Sequence, residues 1–246
     1  SDEQQYEQFR LKYGNKAPDE IESQDLEAIK QLRGRFGKVL AAADTSEGEK
    51  LKNLNLLIEL NMMLSDTAEL GRNYQKYLTT LAENGLLQMT LVGGYGVIET
   101  AMFGGRRREA GMLLDRWVDT VLPMNDAESI LLFARRQLAK KRFWTTAKFL
   151  ERCSAEGLFT TDTQFEAEVL RCTALHELYK LMLNPNAIKG LSAETEADWV
   201  RCRTGPGGLE MMLADSLAQA RRAFGCLTQP TESQRAMKTQ LDRIEK

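Results

Sequence analysis

The side chains that most often perform catalysis are scarce in this sequence. His176 is the single histidine, so any Ser–His or Cys–His pair would have to use it. Cys172 precedes it by four residues, a spacing that places two side chains on one face of a helix. Both residues lie in an apolar stretch, whereas a nucleophile must be accessible and its thiolate must be favoured by nearby positive charge. We therefore interpret His176 as a half-buried helix residue, and we expect this protein not to be an enzyme.

The cysteines show no metal-binding pattern. The chain has four of them, and no two lie within four positions of each other, which excludes a CxxC zinc or redox motif. A single histidine also excludes the paired ExxH motifs of a di-iron site. We interpret the cysteines as reduced thiols of an intracellular protein, and we expect no metal and no other cofactor.

Two glycine-rich stretches resemble nucleotide-binding loops only in part. In TLVGGYGVIE, Thr90–Glu99, a GxGxxG pattern could start at Gly94, but Glu99 occupies the place of its third glycine. GPGG at 205–208 could cradle an anion at a helix N-terminus, but no lysine follows it. Because glycine clusters mostly mark loops, we interpret both as loops between helices, the first with close helix contact.

Basic residues are concentrated in the middle of the chain. Residues 104–152 contain eleven Lys and Arg against six acidic residues, although the whole chain has a net charge of −2. This is the one charge feature above background, and it predicts a binding surface for an acidic macromolecule. The predicted surface consists of Arg72, Arg106, Arg107, Arg108, Arg135, Arg136, Lys140, Lys141 and Arg142.

A repeated pattern indicates the elements that would position these residues. KYLTTLAENGLL, Lys76–Leu87, and KFLERCSAEGLF, Lys148–Phe159, lie 72 residues apart and share Lys, an aromatic residue, Leu and a Gly-Leu pair. A degenerate third copy, Met112–Pro123, lies halfway between them. The period is therefore about 36 to 38 residues, which is typical of one helical hairpin per repeat. The aligned leucines are expected to be buried at equivalent places: Leu78, Leu114 and Leu150.

Helix-start signals and apolar spacing support a helical chain. Four pairs three residues apart predict capping boxes: Ser46 with Glu49, Asn125 with Glu128, Thr161 with Gln164, and Thr231 with Gln234. The predicted fold is all-α, a short α-solenoid of stacked helical hairpins with extra C-terminal helices. We predict one continuous domain with an N-terminal helical region (1–48), hairpin repeats (49–183) and C-terminal capping helices (184–246).

Tyr95–Trp117 and Lys148–Leu158 resemble pentatricopeptide repeats and, more loosely, tetratricopeptide repeats. The shared features are an aromatic residue early in the first helix (Tyr95), a break at small residues (Gly104) and a Gly-Leu exit. The resemblance implies a stack of helical hairpins. Gly96 stands where pentatricopeptide proteins carry the Asn that reads a base, so base-by-base RNA reading is not carried over.

The repeat predicts where the basic residues meet. Arg106 and Arg142 are one period apart, and both fall in the turn that joins the two helices of a hairpin. Stacked hairpins place such turns side by side, with helix axes about 8–10 Å apart. We therefore expect one basic ridge along an edge of the stack, beside Phe143 and Trp144. If the ridge only faces solvent and binds nothing, the next candidate binding surface is the concave face lined by the first helix of each hairpin. That face includes Tyr95, Glu99, Arg135 and Arg136.

Three interpretations of the ridge remain open: a solvated edge, a site for an acidic protein partner, and a site for RNA. We expect a non-catalytic scaffold or adaptor subunit that binds protein partners in a larger assembly. The alternative is an RNA-binding helical-repeat factor, for example in organellar RNA processing. No apolar run approaches the length of a membrane span, so we expect a soluble intracellular protein without membrane insertion.

Overall fold

The computed structural model describes residues 1–188, 202 and 205–244. Within these residues the chain forms α-helices, three short 3₁₀ turns and no strand, which confirms the predicted all-α class. The eleven α-helices described are α1 (Asp2–Tyr13), α2 (Ser23–Ala41), α3 (Glu47–Met63), α4 (Thr67–Glu83), α5 (Leu87–Phe103), α6 (Arg107–Val121), α7 (Ala127–Ala139), α8 (Phe143–Ala155), α9 (Thr161–Leu183), α10 (Pro206–Gly225) and α11 (Glu232–Ile244).

The chain divides into two compact units, Ser1–Met124 and Asn125–Lys246. The first unit contains α1 to α6, and the second contains α7 to α11. The domain boundaries predicted after residues 48 and 183 each lie inside one of these units.

In the first unit, α2 packs on α3, α3 packs on α4, and α4 contacts both α5 and α6. The capping box of Ser46 and Glu49 starts α3 as predicted. An apolar core joins α1, α2 and α3, since one face of each helix is apolar and excludes water there. Its buried members include Tyr6, Phe9, Tyr13, Ile29, Leu32, Leu57 and Leu60.

The glycine-rich stretch 90–99 lies inside α5, so the loop interpretation was wrong. The close helix contact is confirmed at Gly94, where a Cβ would lie 2.8 Å from Leu78 Cδ2 and 3.0 Å from Trp117 Cδ1. The indole Nε1 of Trp117 donates to the Thr90 carbonyl at 2.9 Å. Glycine is therefore needed here for helix packing rather than for a turn.

In the second unit, the long helix α9 packs against α7, α8, α10 and α11. Its buried face provides the centre of the second core, which includes Phe165, Val169, Leu175, Leu178, Leu209 and Leu241. Two of the predicted caps are displaced by one residue: Asp126 caps α7 and Thr160 caps α9. The predicted pair at the start of α11, Thr231 and Gln234, forms both of its hydrogen bonds.

The repeated Gly-Leu pairs mark a recurrent helix end. Gly85 and Gly157 have φ values of 71° and 68°, and the next N–H in each case bonds to a carbonyl five residues earlier. This is the C-terminal turn that an αL residue makes available. The same turn occurs at Ser65, Gly105 and Lys141, between the two helices of each hairpin. The twin stretches of sequence are thus explained by equivalent helix ends.

The expected burial is confirmed for two of the three aligned leucines. Leu78 and Leu150 are fully buried, but Leu114 is 36% exposed and Leu113 is buried in its place. The reason is that α6 turns its Leu113, Trp117 and Val121 face inward, so that the large indole of Trp117 occupies the space over Gly94. A shift of one residue rotates a helix face by about 100°.

Candidate functional site

Two residues of the predicted basic ridge are buried. Arg106 is 9% exposed; it donates to the main-chain carbonyl of Met62, and its Nη2 donates to that of Lys16 at 2.8 Å. Arg142 is 4% exposed, and its Nη1 donates to Gln137 Oε1 at 3.3 Å. The expectation that both face solvent was therefore wrong. Each residue directly follows the turn between two helices, and its long side chain extends to the acceptors just named.

Two further members of the ridge are paired with acidic residues. Arg72 forms an ion pair with Glu69 at 2.5 Å. Arg135 contacts Glu166. Both arginines are exposed, so these ion pairs contribute little to stability, but they partly neutralise the positive charge offered to a ligand.

The remaining basic residues are exposed and fall into two sets. Arg107 and Arg108 belong to the first unit, and Arg136, Lys140 and Lys141 belong to the second. Within the described part of the chain, the side chains of Arg107, Arg108, Arg136 and Lys141 form no hydrogen bond or ion pair. A single continuous ridge stays a prediction.

The aromatic residues predicted beside the ridge are differently placed. Phe143 is 8% exposed and belongs to the core of the second unit. Trp144 is half-buried, and Lys148 Nζ lies 5.7 Å from the centre of its ring. Tyr95, which was named for the alternative surface, is buried against Trp117 with ring centres 5.3 Å apart. Of these three, Trp144 alone is partly exposed.

Cys172 and His176 lie in α9 as expected. Cys172 is fully buried, its Sγ is 3.1 Å from Ser216 Oγ, and burial raises the pKa of its thiol to about 11. Burial lowers the pKa of His176, and among the described residues nothing forms a hydrogen bond to its Nδ1. A buried neutral thiol is a poor nucleophile. The expectation that neither residue has a catalytic role stays a prediction.

A groove that the sequence did not indicate opens in the first unit between α3 and α5. It consists of two adjoining clefts of about 320 Å³ each, which share Glu59, Met62 and Thr100. The first cleft is also lined by Arg10, Leu11, Gly14, Asn15, Met63 and Arg106. The second is also lined by Asn55, Tyr77, Gly93, Gly96 and Val97. We call this feature the α3–α5 groove.

The helical repeat explains which residues face the groove. On α3, Asn55, Glu59 and Met62 are spaced i, i+4 and i+7, so they share one side of the helix. On α5, Gly93, Gly96 and Thr100 are spaced i, i+3 and i+7. The α5 side of the groove therefore protrudes little, because its glycines have no side chain. No atom beyond the local helix backbone lies within 4 Å of a Cβ placed on Gly96.

The charged side chains around the groove form hydrogen bonds or ion pairs within the protein. The Tyr6 hydroxyl donates to Glu59, and burial raises the pKa of that phenol, which therefore stays a neutral donor. Arg10 pairs with Glu7 at 2.9 Å. Arg106 is occupied by main-chain carbonyls. Glu59 forms no ion pair within the described part of the chain.

The sequence contained a weak signal for this groove. Asn55 and Glu59 are polar residues four apart within the apolar helix α3, and the glycines of α5 have a near-helical spacing. Neither pattern identifies the other as its neighbour, because they lie almost forty residues apart in the chain.

No protein-family model, curated protein or solved structure matches this chain. Among the described residues, no helix is long and apolar enough to cross a membrane. The described part of the chain also has no group of three or more His, Cys, Asp or Glu placed to hold a metal ion.

Proposed function

We propose that this protein is a non-catalytic scaffold or adaptor subunit, in which hairpins stacked as a short solenoid bind another protein of a larger assembly. The observation that supports the proposal is the α3–α5 groove. Its walls are helices held by buried cores, so the groove needs no ordering before it binds a partner. Leu11, at one end of the groove, is 82% exposed and offers an apolar contact.

Filling the groove tests this proposal. Gly96→Trp should place an indole in the groove, since nothing beyond the local helix lies within 4 Å of its Cβ position. Gly111→Trp is the matched control, because Gly111 is an equally open helical glycine that does not line the groove. Both variants should keep the parent circular dichroism spectrum and melting temperature.

The readout is affinity purification from the source cells, with and without nuclease. We expect a nuclease-resistant protein partner that binds the parent and Gly111→Trp but not Gly96→Trp. A partner that binds Gly96→Trp as well as the parent would contradict the use of this groove. Loss of every partner on nuclease treatment would contradict the scaffold proposal.

RNA binding is the second candidate, and the exposed basic residues favour it. Arg107 and Arg108 in the first unit, and Arg136 and Lys141 in the second, have no acidic partner within the described chain. A single strand that contacts the two residues of either pair should bind more weakly as salt rises, with a slope of log K against log salt of about −1.4.

Replacing the basic residues set by set tests this candidate. Replacing the pair that contacts the strand, by Arg107→Ala with Arg108→Ala or by Arg136→Ala with Lys141→Ala, should flatten the slope by about 1.4 if each residue contacts a phosphate. Arg72→Ala is the control, because Arg72 is already paired with Glu69. Affinity for poly(U) RNA that is absent in the parent, or unchanged in both double variants, would exclude this role.

A further inference from the structure

The α3–α5 groove contains a carboxylate, that of Glu59, which forms no ion pair within the described chain. Glu59 lies where the two clefts join, and it lines both. Within the described chain, the carboxylate of Glu59 accepts one hydrogen bond, from the neutral hydroxyl of Tyr6. A carboxylate can accept several hydrogen bonds, so acceptor capacity at Glu59 remains unused.

The two arginines that line the first cleft with Glu59, Arg10 and Arg106, already form other contacts. On α1, Arg10 Nε and Nη2 both bond to Glu7, at 3.0 and 2.9 Å. The guanidinium of Arg106 is held by the carbonyls of Met62 and Lys16. Neither forms an ion pair with Glu59 within the described residues. The α5 wall offers no positive charge in the second cleft, where it contributes Gly93, Gly96, Val97 and Thr100.

The surroundings of Glu59 suit an extended apolar stem that ends in a charge. Met62 and Val97 line the second cleft, where each offers a small apolar area, since they are 4% and 6% exposed. The open space over Gly96 allows a backbone to approach α5 closely. Lys and Arg side chains combine such an apolar stem with a charged end.

We infer that the α3–α5 groove binds a peptide segment of a partner protein through a Lys or Arg side chain that pairs with Glu59. This inference rests on the proposed function and specifies its ligand. In the second cleft Glu59 is the one charged residue among the described lining residues, so charge complementarity there selects a basic segment. A charged hydrogen bond in this partly enclosed position should contribute about tenfold or more in affinity.

The test uses a phage-displayed library of random 12-residue peptides, selected on the parent protein and counter-selected on Gly96→Trp. Enriched peptides are synthesised, and their Kd is measured by fluorescence anisotropy. We expect a Lys or Arg at one recurrent position, and a Kd that rises about tenfold or more on Glu59→Gln. Glu83→Gln is the control; it makes the same charge change at an exposed residue that does not line the groove.

The outcomes separate this inference from the proposed function. Peptides that require an open groove but lack a basic residue, or that bind Glu59→Gln as tightly as the parent, would overturn the inference and leave the proposed function standing. If no peptide binds the parent more tightly than Gly96→Trp, both the inference and the proposed function are overturned. If poly(U) RNA binds the parent and is blocked by Gly96→Trp, the groove belongs to nucleic acid and the inference fails.

Discussion

Arg106 and Arg107 are consecutive in the chain, yet their surroundings are opposite. The side chain of Arg106 donates to the carbonyl of Met62 at the C-terminal end of α3 and to that of Lys16 in the loop after α1. The Met62 carbonyl lies at the negative end of the α3 dipole, which favours the positive charge of the guanidinium. Burial lowers the pKa of Arg106, and the charge of nearby Glu109 opposes that effect. Arg107 is exposed on the first turn of α6.

Substitution of the two arginines should separate a structural role from a surface role. Arg106→Ala should lower the free energy of unfolding by about 2–3 kcal/mol, because the carbonyls of Met62 and Lys16, the first of them buried, lose a charged donor. Arg107→Ala should change it by less than about 0.5 kcal/mol. Urea titrations followed by circular dichroism measure both values. Equal effects in the two variants would contradict the observed burial.

Glu168 is a buried carboxyl group in the second unit, and it should make stability depend on pH. It is 1% exposed, it accepts from Gln164 Nε2 at 2.9 Å, and its Oε2 lies 3.5 Å from Arg171 Nη1. Around it, Ser154 Oγ lies 3.4 Å from Oε1, while Arg171 also contacts Glu151 and Gln219. Burial has the largest effect and raises the pKa of Glu168 despite Arg171.

The folded protein therefore holds a proton on Glu168 at pH values where the unfolded chain has released it. Stability should fall as pH rises from the ordinary glutamate pKa through the raised value. Glu168→Gln should not lose stability over this pH range, whereas the exposed control Glu128→Gln should lose it as the parent does. Thermal melts across this range provide the measurement. An unchanged pH dependence in Glu168→Gln would show that another group is responsible.

At the scale of the element, α5 uses its glycines in two different ways. Gly94 is packed against Leu78 and Trp117, and the Tyr74 hydroxyl donates to its carbonyl at 2.9 Å. Gly96 faces the open groove. The two residues lie in the same helix and lose the same backbone entropy, so they form a matched pair.

Alanine substitution should affect these two glycines in opposite directions. Gly96→Ala should stabilise the protein by about 0.5–1 kcal/mol through helix propensity. Gly94→Ala gains the same propensity but must displace a buried leucine and a hydrogen-bonded indole, which costs about 1–3 kcal/mol. Gly94→Ala should therefore be the less stable variant by about that amount in chemical denaturation. Equal stabilities would contradict the close packing at Gly94.

The inward face of α6 can be tested with adjacent leucines. Leu113→Ala should lower the free energy of unfolding by about 2–5 kcal/mol, because Leu113 is fully buried. Leu114→Ala should cost less than about 1 kcal/mol, because that side chain is partly exposed already. Urea titrations measure both values, and the 36-residue register predicts a cost of about 2–5 kcal/mol for Leu114→Ala instead.

At the scale of the whole molecule, each unit has buried apolar residues of its own. Tyr13, Ile29 and Leu32 lie in the first core, and Phe165, Leu175 and Leu209 lie in the second. The two units are almost equal in length and fall within the usual size of an independent domain.

Fragments 1–124 and 125–246 should each fold when expressed alone. We expect helical circular dichroism spectra and cooperative thermal transitions from both, since each retains its own core. Leu32→Ala should lower the melting temperature of the first fragment, and Leu175→Ala that of the second. A fragment with a helical spectrum but no cooperative transition would show that its core is incomplete without the other half of the chain.

The sequence by itself determined the helical class and several helix ends. The Ser46 and Thr231 caps, and the turns at Gly85 and Gly157, were readable because each depends on a few consecutive residues. Capping and αL turns are local, so a short window contains most of the information that they need.

Only the tertiary structure decided which side chains are buried and which surfaces are open. Arg106 is buried because the end of α3 and the loop after α1 lie beside it. Trp117, through its contact with Gly94 of α5, decides which leucine of α6 turns inward. The groove exists because Glu59 and Gly96, distant in sequence, line the same space. Such contacts join residues far apart in the chain, and no local pattern specifies which distant residues will meet.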